Sequence, residues 1–276
     1  MINFDGTSYK KLSDVPDQFL KCLSELPIHT NHFLVFNKKI MELEANYFSI
    51  MASLRRSRVR IPMKYTLEYF QDQTELMIDK NNTGKYSLII AQFYRNNNPT
   101  EQLPVCETSF WMQTLKVDWK MKSISLILYK DYTIMAGAYS NLYQTNEPLR
   151  KLAEVFAYEN DFEASLIIND EKKIVESTRG AIFLIFDNKI CTPPLSSGVV
   201  NSVSRKAMID FISNNNSYEM VVEDIPVFNL QRASEIFLFS FKYGLTKTFN
   251  FRKKEFSTEV SKTIEVLFFD HLRNQF

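Results

Sequence analysis

Apolar positions recur along this chain with two different periods. A spacing of three and four, which puts side chains on one face of a helix, marks "EANYFSIMASLRRSRV", "TLEYFQDQTELMIDK" and residues 147–160. The same spacing marks residues 201–213, and a C-terminal helix carries Val260, Ile264, Leu267, Phe268 and Leu272 on one face. "SDVPDQFLKCLSEL" reads as a further helix, with Ser13 as N-cap, Pro16 in the first turn, and Phe19, Leu20 and Leu23 at helical spacing. Short apolar runs bounded by turn residues predict strands. They are "INFDG", "KYSLIIAQFYR", "PVCETSFWMQT", "KSISLILYK", "ASLIIN", "IVES", "AIFLIF", "ICTPP", "EMVVED" and "EIFLFSF". "HFLVFNKKIMELE" predicts a hairpin turning at Asn37-Lys38-Lys39, and "VFNLQRA" a short helical piece. Strands and helices mix without strict βαβ alternation, which argues against a Rossmann sheet and for a mixed α/β (α+β) chain.

The order of elements divides the chain into an α/β domain over 1–130, a connecting segment over 131–142 and a larger α/β domain over 143–276. Six glycines, the closest pair 18 positions apart, exclude a dinucleotide fingerprint and a P-loop, both of which need clustered glycines against phosphate. Any phosphate bound here has to meet isolated backbone amides, a helix N-terminus or side chains. Charge is balanced, 33 basic against 32 acidic residues, so no broad nucleic-acid footprint follows. The cluster "RRSRVR", Arg55 to Arg60, lacks interleaved aromatics and reads as a solvated face or a set of ion pairs. No apolar run is long enough for a membrane span. Cys22, Cys106 and Cys191 lie far apart and read as reduced thiols of a cytoplasmic protein. With His29, His32 and His271 they show no zinc-ligand spacing.

The stretch "EASLIINDEKKIVESTRGAIFLIFDNKICTPPLSSGVVNSVSRKAMIDFI" has a strand, turn, glutamate, strand, "TPP", small-residue loop and helix start in a fixed order. With "RASEIFLFSF" and "NKKIMELEANYFSIMASLRRSRVRIPM" it resembles the class IV, fold-type IV aminotransferases. These include the branched-chain and D-amino-acid aminotransferases and the aminodeoxychorismate lyases. The likeness spans about residues 33–255. It implies two α/β domains, the second pseudobarrel-like, with pyridoxal phosphate between them, in a homodimer.

The chemical positions of that family depart from its pattern. In "SNLYQTN" the resemblance places Tyr143 where the family has its Schiff-base lysine, and a phenol forms no imine. The phosphate-binding arginine falls on Ser49 and the histidine before it on Asn46. Residues 24–32, "SELPIHTNH", carry none of the glycine, tyrosine or phenylalanine expected of the substrate strand. Glu176 survives where the family glutamate faces the pyridine nitrogen, and Arg179, three residues on, either pairs with it and silences it or offers charge to an anion. "NSVSR" resembles the phosphate cradle at a helix start: Ser202, Val203 and Ser204 keep backbone amides for an anion, or serve as simple caps.

Three functions follow from these departures. One is a homologue without transaminase activity, a binding or structural protein in which the cofactor is not covalently held and a small anion is the ligand. A second is an active pyridoxal-phosphate aminotransferase or aminodeoxychorismate-type lyase with an altered site, in which Lys151 or Lys242 replaces the missing lysine or the cofactor is held noncovalently, and a third is different chemistry with Tyr143 as acid.

Overall fold

The structure, a computed structural model, describes residues 1–16, 27–81, 83–96, 107–117, 119, 122–215 and 217–274. The chain forms two compact units, Met1–Asp118 and Trp119–Phe276.

The first unit is a six-stranded antiparallel sheet in the order β2-β1-β6-β5-β3-β4. Its strands are β1 (Ile2–Phe4), β2 (Thr7–Tyr9), β3 (His29–Phe36), β4 (Lys39–Ile40), β5 (Tyr86–Asn96) and β6 (Glu107–Lys116). The expected hairpin turns at Asn37 and Lys38, both at positive φ (46° and 65°), the twist that a two-residue hairpin loop requires. Helices α1 (Leu43–Arg56) and α2 (Leu67–Lys80) pack apolar stripes on one face of the sheet, burying Ile50, Leu54, Phe70 and Met77 against Phe33, Ile89, Phe93 and Phe110. Thr66 caps α2 by accepting the Tyr69 amide. Most of the helix expected over 13–26, with Cys22, and also Cys106, lies outside the described residues. Leu12–Asp14 forms a 3-10 turn that includes Ser13.

The second unit is a ten-stranded mixed sheet ordered β12-β11-β10-β14-β15-β7-β8-β9-β13, with a short β16 (Lys254–Glu255) on β15. Its members are β7 (Lys122–Leu128), β8 (Ala164–Ile168), β9 (Lys173–Ser177), β10 (Ala181–Phe186) and β11 (Lys189–Thr192). They continue with β12 (Glu219–Val222), β13 (Ile225–Pro226), β14 (Glu235–Ser240) and β15 (Gly244–Phe251). Strand β7 pairs in parallel with β8 and β15, so it belongs to this sheet and not to the first domain, where a boundary at 130 would put it.

Helix α3 (Glu147–Glu159) covers one face of the sheet near β8 and β9, with Ala153 packed on Ile167 and Val175. The described part of this unit has three further helices: α4 (Val203–Asn214), the short α5 (Asn229–Arg232) and α6 (Glu259–Asn274). Phe268 of α6 meets Phe211 of α4 and Phe239 of β14 edge-on, at 5.2 and 5.0 Å between ring centroids. The buried face of α6 is Ser261, Ile264, Glu265, Phe268 and Leu272, whereas Leu267, expected inside, is exposed.

Candidate active-site region

Residues 139–146 form a loop that ends in a 3-10 turn, Tyr143–Asn146, and runs directly into α3. Asn141 fixes this loop. Its amide donates to the carbonyls of Leu195 (2.7 Å) and Val199 (2.8 Å), and its own carbonyl accepts the amide of Asn201 at 3.0 Å. The loop is thereby tied to the small-residue turn Leu195–Ser197 that leads into α4. Gly198 holds that junction at φ 99°, and a Cβ there would come within 2.7 Å of Ile134.

Tyr143 is half-buried, and desolvation pushes its phenol up to about 12 against the opposing pull of Arg150. It is therefore a neutral phenol at any physiological pH. Its ring covers a guanidinium: Arg150 Cζ lies 4.9 Å from the ring centroid. Arg150 also donates to the backbone carbonyl of Tyr143.

The main charge contact of the site joins Arg150, in α3, to Glu176, on β9. Arg150 Nε lies 2.5 Å from Glu176 Oε1, with both side chains over nine-tenths buried. A third guanidinium nitrogen, Nη2, is buried without a hydrogen-bond partner. The partner of Glu176 is thus Arg150 and not Arg179. Arg179 turns the other way, donating through Nε and Nη2 to the Glu163 carbonyl (3.3 and 3.2 Å) and stacking on Tyr243 at 4.5 Å.

The other expected residues fall in place as follows. Ser202 is the N-cap of α4, with its hydroxyl accepting the Arg205 amide at 3.2 Å and lying 3.3 Å from the Ser204 hydroxyl. Val203 and Ser204 open the first turn, whose amides have no intrahelical acceptor. Arg205 is buried and directed away from that turn, donating to the Pro193 carbonyl at 2.6 Å, and desolvation lowers its guanidinium to about 10. Lys151 points to solvent and pairs with Glu154 at 3.4 Å. Lys242 is exposed, its ammonium 4.9 Å from the ring of Tyr243.

In the first unit Asn46 is fully buried and structural. It accepts from Asn31 at 2.9 Å and donates to the Glu42 carbonyl at 2.8 Å, locking the start of α1 to β3. Ser49, one turn on, is half-buried. His29 is buried on β3 beside Phe93, at 5.9 Å between ring centroids. Among the described residues no group of His, Cys, Asp and Glu has the arrangement of a metal site, and no helix is long and apolar enough to cross a membrane.

The family model for class IV amino-transferases matches residues 31–241, and the chain belongs to that family. Its fold is the mixed α/β fold-type IV aminotransferase fold with two sheets. It is similar to the branched-chain aminotransferase of Thermoproteus uzoniensis, solved with norvaline, at TM-score 0.82 and 15% identity, covering 96% of this chain and 91% of that one. A putative 4-amino-4-deoxychorismate lyase from Legionella pneumophila matches at TM-score 0.79 and 17% identity, over 88% and 90%. The branched-chain aminotransferase of Thermobaculum terrenum in its PLP-form matches at 0.80 and 16%, over 90% and 85%. No curated protein sequence matches this one.

Proposed function

We propose that this class IV amino-transferase relative has left the pyridoxal-phosphate chemistry of its family and serves as a binding or structural homologue. The observation that carries this reading is the 2.5 Å contact of Arg150 on Glu176. When bound, pyridoxal phosphate supplies an electron sink, and a protein carboxylate at the ring nitrogen keeps that sink protonated. Here the carboxylate is engaged by a permanent cation from the same chain. The residue placed at the lysine position, Tyr143, offers a ring face and a neutral phenol, neither of which condenses with an aldehyde. These residues do not fit the cofactor.

What persists is the helix start at Ser202, Val203 and Ser204, whose amides suit a small anion. The protein is read as a homodimer with such an anion as ligand. The test is thermal. The melting temperature is expected to move equally little with pyridoxal phosphate and with inorganic phosphate, because only the anion is recognised. A cofactor shift far above the phosphate shift overturns the proposal.

A second reading is favoured by one contact. Lys242 stands against the ring of Tyr243, whereas Lys151 is paired with Glu154 at the surface, so of the two alternative lysines Lys242 is the one this reading uses. An enzyme with a displaced lysine would form its imine there, and Lys242→Ala would abolish a cofactor adduct that Lys151→Ala leaves intact.

A further inference from the structure

A carboxylate as deeply buried as Glu176 needs a cation, or it is costly to keep ionised. We propose that Glu176 marks a site for a planar organic cation of the guanidinium or amidinium class, and that Arg150 is its built-in occupant. The inference rests on the reading that Glu176 holds no cofactor ring in this protein.

The walls of the site are three. The Glu176 carboxylate takes one edge of the cation through Nε, and the backbone carbonyl of Tyr143 takes a second nitrogen. The Tyr143 ring covers the cation at 4.9 Å. An anionic edge, a neutral acceptor and a π face together recognise a flat, delocalised cation better than a compact ammonium, which offers no plane to stack and no fork to fill. The orphan Nη2 fits this view: the guanidinium is placed for the carboxylate, the carbonyl and the ring, and its remaining nitrogen is left without an acceptor.

Arg150 enters from the first turns of α3, two residues after Pro148, so the tether comes from the helix and the receptor from β9 and the loop. Shortening the tether should leave the receptor standing and vacant.

The experiment uses the full chain with Arg150→Ala, probed with ethylguanidinium chloride and, as the non-planar control, ethylammonium chloride, both at low millimolar concentration. Arg150→Ala alone is expected to lower the melting temperature by on the order of 10 °C. Ethylguanidinium should restore most of that loss and ethylammonium little. Neither salt should move the wild type or Arg150→Ala/Glu176→Leu. Equal effects of the two salts, no effect of either, or an equal rise in the double variant would overturn the proposal. If Arg150→Ala does not accumulate folded, the yield of soluble protein on refolding is read with the same two salts and the same criterion. Pyridoxal phosphate added to the wild type tests the parent reading independently: tight cofactor binding there sinks the non-catalytic function without touching the rescue result.

Discussion

Replacing Glu176 by Leu while Arg150 stays removes the carboxylate paired with the Arg150 guanidinium, which is less than a tenth exposed. The Tyr143 carbonyl and ring remain, but neither carries a countercharge. Breaking one side of a buried ion pair costs about 3–5 kcal/mol, because the other charge stays behind uncompensated. Arg150→Met should cost a similar amount by stranding Glu176. The double replacement Arg150→Met/Glu176→Leu removes both desolvation penalties and should fall within about 1–2 kcal/mol of wild type. The cycle therefore gives a coupling energy of about 3 kcal/mol or more between the two sites. The two tryptophans make the assay local. Trp119 lies in the second unit, donating to the Phe241 carbonyl at 3.0 Å, and Trp111 lies in the first, donating to Gln92 at 3.2 Å. In a Trp111→Phe background, denaturant unfolding followed by fluorescence reports on the unit that holds the pair. If the two single variants each cost less than about 1 kcal/mol and add in the double, the pair is not the buried lock described here.

Three further outcomes follow. Tyr143→Lys supplies an amine but leaves Arg150 on Glu176, so a transamination assay with pyridoxal phosphate should stay at the level of the wild type. Gly180→Ala should lose at least about 2 kcal/mol in a melting or denaturant experiment, since φ there is 134° and a Cβ would stand 2.4 Å from the Phe239 carbonyl oxygen. Asp224 receives Lys173 at 2.6 Å and the Ser197 hydroxyl, and both bonds hold its carboxyl below the usual range. A folded pKa below the unfolded one stabilises above the unfolded value and is lost as pH falls through the folded one. Asp224→Asn should therefore lose under about 1 kcal/mol at neutral pH, and the difference should vanish in acid below the folded pKa, as read from stability against pH.

Most of the elements were legible because their apolar residues kept a clear period. Helices α1, α2, α3 and α4 and strands β8 to β11 lie within about three residues of their expected spans. Strand β15 escaped because its buried centre is Thr246, Lys247 and Thr248, polar residues that give no hydrophobic signal. Lys247 is paired inside the fold with Glu265 of α6, a buried charge that apolar spacing does not signal, while Ile264, Phe268 and Leu272 face inward as expected and Leu267 does not. The position of β7 was not legible, because a parallel partner is set by crossovers and not by the strand's own pattern. Glu176 and Tyr143 were singled out by their place in a fixed order, and in the structure both contact Arg150. The error was the partner. Arg179 lies beyond the end of β9, in the turn after Ser177, where it donates to the Glu163 carbonyl. Arg150, in the polar first turns of an amphipathic helix, reads as solvated, and only the packing of α3 on β9 brings it to the carboxylate.

The most direct measurement is a borohydride reduction of the folded wild-type protein incubated with pyridoxal phosphate, followed by mass mapping of every lysine. The expected result is no stoichiometric adduct, only the scattered low-level labelling that exposed amines give. A single lysine modified to near one equivalent, Lys242 above all, would contradict the claim that this chain has given up the chemistry of its family.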